Sequence, residues 1–139
     1  MSLYILDTDT VTMYRAGNPR VCAHVSAHPP SELAATIITV EEQISGWYTL
    51  LRRAKTNPSL VAAYEHLART VQFFAGVQIV AFTLSAATRF DELRATRIRI
   101  STLDLRIGCI ALFANAVLVT RNRKDFELIP GLAIEDWST

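Results

Sequence analysis

A chain of 139 residues, 50% hydrophobic and 19% charged, is long enough for one domain with its own core and too apolar to be disordered or fibrous. The net charge of +1 hides a division, because residues 89–124 carry +5 and the remainder −4. Twelve of the fourteen basic residues are Arg, whose planar fork of donors suits phosphate, so this segment reads either as a solvated helix face or as a surface for nucleic acid.

The uncharged stretch Ile107–Thr120 spans 14 residues and contains Asn115. A membrane helix needs about 20 apolar residues, so this stretch reads as a buried helix and strand. The N-terminus shows no basic region followed by an apolar run and a cleavage site. Cys22 and Cys109 have no metal-ligand spacing and are too few for a disulfide framework. A soluble chain in a reducing, cytoplasmic setting is expected, forming one domain over residues 1–139 without repeats or linkers.

In chain order, residues 3–6 are a short apolar run ending at Asp7, which predicts a buried strand. A short helix over 7–16 follows. Gly17-Asn18-Pro19 breaks the chain, with Asn18 as cap and Pro19 at the first position of a second helix, which runs to about Ala27. Thr36-Ile37-Ile38 predicts the second strand. Val40, Ile44, Trp47, Tyr48, Leu51 and Ala54 then recur at helical spacing. Asn57-Pro58 starts another helix, with Leu60, Val61, Tyr64, Leu67, Ala68, Val71, Phe74 and Ala75 as its apolar stripe and Gly76 as its stop. The pair forms an αα-hairpin over 40–75. Its surplus of large side chains, including Trp47, Tyr48, Tyr64, Phe73 and Phe74, exceeds what one core can bury, so it is expected to supply a dimer or partner surface.

Residues 78–82 predict a third strand and residues 84–96 a helix. Ser101 or Thr102 caps the next helix, Val117–Val119 is a fourth strand, and Ala133-Ile134 suits a fifth at the edge. Alternating strands and helices imply an α/β fold: a three-layer α/β/α sandwich around a mostly parallel sheet of four to five strands. In such folds the working groups lie at the carboxyl ends of the strands.

Carboxylates cluster there. Asp7 follows the first strand and Asp9 lies two positions on. Glu41 and Glu42 follow the second strand, where Thr39 and Glu42 also fit a capping box. Gly46 lies four residues after Glu42. A mid-helix glycine costs roughly 1 kcal/mol relative to Ala, so a close neighbour is expected beside it. Asp104 opens the helix before strand four, with Ser101 as a cap and Gly108 four residues later. Asn122 and Asp125 follow strand four. Helix caps explain each acid separately. Together at one edge, the acids repel, so one must protonate or a cation must neutralise them. An oxygen-only set selects Mg²⁺, with Mn²⁺ able to substitute. His24, His28 and His66 fall outside these segments, which disfavours zinc. Carboxylate-held Mg²⁺ beside an Arg-rich surface suits phosphodiester hydrolysis.

Taken in order and spacing, Tyr4-Ile5-Leu6-Asp7-Thr8-Asp9, Glu42 with Gly46, Asp104-Leu105-Arg106-Ile107-Gly108, Val119-Thr120-Arg121-Asn122 with Asp125-Phe126, Ile129-Pro130-Gly131-Leu132 and Glu135-Asp136-Trp137 resemble the PIN-domain ribonucleases. Within them they are most similar to the VapC-type toxins of prokaryotic toxin–antitoxin pairs. The resemblance covers nearly the whole chain. It implies an α/β/α nuclease with an acidic Mg²⁺ site that cuts RNA, forms a homodimer and is silenced by a cognate antitoxin. By position, Asp7, Glu42 and Asp104 match the family's three invariant acids, with Asp7 and Asp104 as direct metal ligands and Glu42 acting through water. Asn122 stands in a slot where relatives carry Asp or Asn, and either it or Asp125 fills the fourth catalytic position. Arg121, Arg123 and Lys124 flank Asn122 and are expected to bind RNA.

Two other readings fit parts of the chain. One is a PIN-fold module that binds RNA or antitoxin without efficient cleavage, against which stand Asp7, Glu42 and Asp104. The other is a phosphoacceptor receiver-like domain, which needs a lysine after its last core strand, where Arg121 and Arg123 come before Lys124.

Overall fold

The computed structural model describes residues 2–139. Strand β1 (Tyr4–Leu6) leads into helices α1 (Thr8–Arg15) and α2 (Pro19–Ser26), then through one 3₁₀ turn (Pro30–Glu32) into β2 (Leu33–Thr36). The long helices α3 (Ile37–Arg53) and α4 (Asn57–Ala75) precede β3 (Gln78–Val80). Helices α5 (Leu84–Ala95) and α6 (Thr102–Phe113) lead to β4 (Val117–Val119), the single-turn α7 (Arg123–Phe126) and β5 (Ala133–Glu135).

The five strands form one sheet in the order β3-β2-β1-β4-β5. Every pairing is parallel, and β1 joins both β2, at Tyr4–Leu33, and β4, at Tyr4–Val117. Period-two alternation divides each central strand between two cores. Ile5, Ala34 and Leu118 face the cluster built with α5 and α6, while Leu6, Ala35 and Val119 face the one built with α1, α2 and Phe74 of α4. The layers are therefore helix, sheet and helix, as the alternation of elements implied, and the fifth strand lies at the edge.

The second strand is shifted. It ends at Thr36, whose hydroxyl accepts the Thr39 amide as the cap of α3, so Ile37 and Ile38 are the first helical residues. Their β-branched character is overridden by the cap and by burial of Ile38 against the sheet. The shift also removes the capping box expected at Thr39 and Glu42, because both lie inside the helix. Strand three stops at Val80, two residues short of Phe82.

The hairpin is α3–α4, opened at Thr56 by a capping box with Ser59. Inside it, Thr70 is fully buried and its hydroxyl accepts the Trp47 indole N–H at 2.7 Å and an Arg15 N–H at 3.0 Å. Trp47 stacks on His66 with ring centroids 4.5 Å apart. The apolar stripe of α4 is divided: Val61, Tyr64 and Val71 are more than half exposed, while Phe74 is buried. Ala63, Thr70 and Phe74 make the inner face. Two of the three inward positions are small or polar, which is why the stripe of large residues does not mark the buried face.

The two glycines differ. A Cβ on Gly108 would collide with the Cδ1 of Ile129, so α6 needs glycine to approach the turn after α7. Gly46 has nothing within 4 Å of such an atom, so the neighbour expected beside it is absent from the fold.

Candidate active site

The carboxyl edge of the sheet is the meeting point of β1, β2 and β4 with the starts of α1, α3 and α7. Asp7 leaves β1 with its amide donating to the Val119 carbonyl of β4 at 3.0 Å. Its Oδ1 accepts the Thr10 amide at 2.8 Å and so caps α1. The cap engages Oδ1, so capping and a functional role can coexist in one carboxylate. Asp7 is 5% exposed. Burial pushes its carboxyl above the ordinary aspartate value, with the Thr120 and Thr10 hydroxyls and the Thr10 amide partly offsetting it and Asp9 adding to it.

Glu42 projects from the second turn of α3. Its Oε1 accepts the Thr8 hydroxyl at 2.6 Å, and Thr8 Oγ1 lies 3.0 Å from Thr39 Oγ1. A Thr–Thr–Glu chain thus ties α1 to α3. Asp104 sits in the first turn of α6, where its amide donates to the capping Ser101 hydroxyl at 3.3 Å. Its carboxyl is raised by burial first and then by the charges of Glu42, Asp125 and Asp9. Those causes place four acids within electrostatic reach of one another.

Asp7, Thr8, Asp9, Glu42, Asp104 and Asn122 line one cleft of about 210 Å³. A larger cavity of about 510 Å³ lies elsewhere, between α1, α2, β2 and the end of α4, and is lined mostly by apolar groups such as Val11, Tyr14, Leu33 and Phe73. The smaller cleft is where the chemistry-bearing groups converge.

Of the two candidates for the fourth position, Asn122 faces the cleft. It caps α7, its Oδ1 accepting the Asp125 amide, while its Nδ2 donates to Asp125 Oδ2 at 3.0 Å. Asp125 stands behind Asn122 and fixes its amide. Glu41 is exposed on another side of α3. The basic flank divides as well. Arg121 holds Asp9 at 3.3 Å at the edge of the cleft, Arg123 is bound to Glu127 at 3.8 Å, and Lys124 is exposed.

Among the described residues, Asp7, Glu42, Asp104 and Asp125 have no ion-pair partner. Buried carboxylates without a cation are costly, and the set supplies oxygen donors alone. Among the described residues no three His, Cys, Asp or Glu side chains close into a ready cage.

The supporting roles of Thr8 and Thr120 carry no signal in the sequence, where Thr39 reads only as a helix cap. Thr120 is fully buried and its hydroxyl accepts the Asn122 amide at 3.0 Å, which sets the turn that presents Asn122. A threonine between two aspartates carries no periodic signal, so only the fold reveals these roles.

No protein-family model matches the chain. The ribonuclease VapC1 of Haemophilus influenzae (strain R2866) is 29% identical over 139 residues, covering 98% of each chain. The chain also superposes on the crystal structure of DNA-bound VapBC from Salmonella typhimurium, with a TM-score of 0.79, 25% identity and 99% of each chain covered. The chain has the fold of the VapC-type PIN domains. A toxin–antitoxin complex from Klebsiella pneumoniae matches with a TM-score of 0.69 and 25% identity, over 94% of this chain and 95% of that one. The VapC-type fold accounts for the all-parallel sheet and displaces the receiver-like reading. No helix among the described residues is long and apolar enough to cross a membrane.

Proposed function

We propose that this VapC-type chain is a metal-dependent endoribonuclease, the toxin of a type II toxin–antitoxin pair, inhibited by a cognate antitoxin and working as a homodimer in the cytoplasm. The observation that carries it is the convergence of unpaired carboxylates from three separate elements, β1, α3 and α6, in one cleft. The full-length likeness to a ribonuclease VapC1 and to a toxin–antitoxin complex supports it.

In this reading the carboxylates of Asp7 and Asp104 would hold Mg²⁺ or Mn²⁺, which when bound would supply an activated water and neutralise charge developing on the scissile phosphate. Glu42, fixed by Thr8, would orient the attacking water and accept its proton. The Asn122 amide, held by Asp125, donates toward a phosphoryl oxygen. Arg121 and Lys124, with Arg123, hold the flanking phosphates. The two raised carboxyls fit this role, since groups held off their ordinary values by burial and like charge gain most from a cation.

The test is cleavage of RNA by the purified protein with and without Mg²⁺ or Mn²⁺, alongside Asp104→Asn. Metal-dependent cleavage lost in the variant is the expected result. RNA binding without cleavage at any metal concentration would instead support a binding module of the same fold.

A further inference from the structure

A second group of charges lies across the head of α6 from the carboxylates. Asp104 and Arg106 are two residues apart, which turns them about 200° from each other around the helix. Arg106 accordingly faces away from the cleft, toward Phe82 and Phe90. Its guanidinium lies 5.4 Å from the Phe90 ring centroid and 5.9 Å from that of Phe82. Arg94 covers the same Phe90 ring at 5.4 Å and is fixed by bonds from its guanidinium to the Ile98 carbonyl and the Thr102 hydroxyl.

Two guanidiniums therefore share one phenyl ring. The three ion pairs among the described residues involve other cations, so neither Arg94 nor Arg106 has a carboxylate partner. The Nε of Arg106 is the one buried side-chain nitrogen or oxygen left without a hydrogen-bond partner among the described residues. Such a group costs stability and calls for an explanation. The remaining nitrogens of Arg106 are not buried and make no bond within the described chain, so they stand ready for an outside acceptor. Phe82 belongs to the same carboxyl edge as the cleft, two residues past the end of β3, and β3 is in register with β2 at Thr36–Val80. Arg97 and Arg99, exposed on the connection between α5 and α6, extend the positive surface.

Arginine mounted on aromatic rings beside a path of positive charge is a chemistry that grips single-stranded nucleic acid, through phosphate contacts and stacking of bases. We propose that Arg106 and Arg94, braced on Phe82 and Phe90, form a second contact point for single-stranded RNA, holding the strand on the α5–α6 side while its scissile phosphate lies among the carboxylates. The proposal rests on the ribonuclease reading and adds to it a direction for the substrate. The sequence expectation put the RNA contacts at Arg121, Arg123 and Lys124. The first two are already bound to carboxylates, whereas Arg94 and Arg106 carry uncompensated charge.

The experiment uses a labelled single-stranded oligoribonucleotide. Binding is measured with full-length Asp7→Asn protein, with and without Arg106→Gln, across a salt series; cleavage is measured with otherwise wild-type protein. Arg106→Gln is expected to weaken binding about tenfold and to lower the salt slope by about 0.7, the increment of one single-strand phosphate contact. KM rises about tenfold, kcat stays within about twofold, and the melting temperature is unchanged. Arg106→Lys restores the salt slope but only part of the affinity, because it keeps the charge and loses the planar stack. A folded Arg106→Gln protein with wild-type affinity, slope and KM overturns the proposal while leaving the nuclease intact. If that variant melts low, Arg94→Gln takes its place, and unchanged binding there overturns the proposal equally. Wild-type protein that cuts no RNA with Mg²⁺ or Mn²⁺ overturns the ribonuclease reading and this one with it.

Discussion

Replacing Asp7 by Asn separates the two jobs of this residue. Asn caps a helix as well as Asp does, so the bond from the Thr10 amide survives. The negative charge does not. Asp7 is 5% exposed and its carboxyl is raised from 3.8 by burial. A carboxyl raised on folding makes the folded chain bind protons more readily than the unfolded one. Stability then falls as pH rises from about 3.8 through the raised folded value. Each unit of the rise is worth about 1.4 kcal/mol. Removing the charge at neutral pH should stabilise the metal-free protein and raise its melting temperature. Asp7→Ala relieves the same charge but loses the cap, about 1 kcal/mol, and should melt below Asp7→Asn. Saturating Mg²⁺ or Mn²⁺ should invert the order, since a ligand at about 100 times its dissociation constant adds about 2.7 kcal/mol to the protein that binds it. The assay is thermal melting of the three proteins with and without metal, paired with RNA cleavage. The reasoning fails if Asp7→Asn melts at or below wild type without metal and still cuts RNA at the wild-type rate, for then Asp7 is a cap and nothing more.

Three further outcomes are expected. Gly46→Ala should raise stability by about 0.5–1 kcal/mol, since nothing stands near the new methyl, whereas Gly108→Ala should lower it by about 1–3 kcal/mol as Ile129 is displaced; denaturant melts that rank them the other way would refute the packing described. Replacing Arg121, Arg123 and Lys124 together by Ala should weaken RNA binding and flatten its salt dependence, and an unchanged slope would show that RNA binds elsewhere. Tyr64→Glu on the outer face of α4 should reduce self-association or antitoxin binding in sedimentation and titration experiments without altering the melting temperature; a wild-type chain that is monomeric at micromolar concentration and binds antitoxin as well as the variant does would remove the hairpin from both roles.

The acids were legible because their signal is local: each is a short run of letters at the end of an apolar segment. Asp7, Glu42, Asp104 and Asn122 all reach the cleft. What supports them was not legible. Thr8 meets Glu42 across 34 positions of sequence, and Asp7 meets Val119 across more than a hundred. The second strand was placed three residues late because Ile37 and Ile38 carry strand propensity, while the deciding interaction is a threonine cap followed by tertiary burial. The stripe of α4 splits between the exposed Val61, Tyr64 and Val71 and the buried Phe74, since amphipathicity states that a helix has an apolar face and not what covers it.

The sheet order β3-β2-β1-β4-β5 has a consequence for how activity arises as the chain folds. Glu42 belongs to the α3–α4 hairpin and Asp104 to the α5–α6 pair, both local units able to form early. Each carries one of the four cleft groups on which the proposed chemistry depends. Asp7 and Asn122 come together only when β1 closes on β4, the most remote pairing between neighbouring strands. Partly folded chains and proteolytic fragments therefore hold acids but no centre. On the proposed chemistry, cutting requires the β1–β4 pairing, so a protease that opens that seam disarms the protein before it has degraded it.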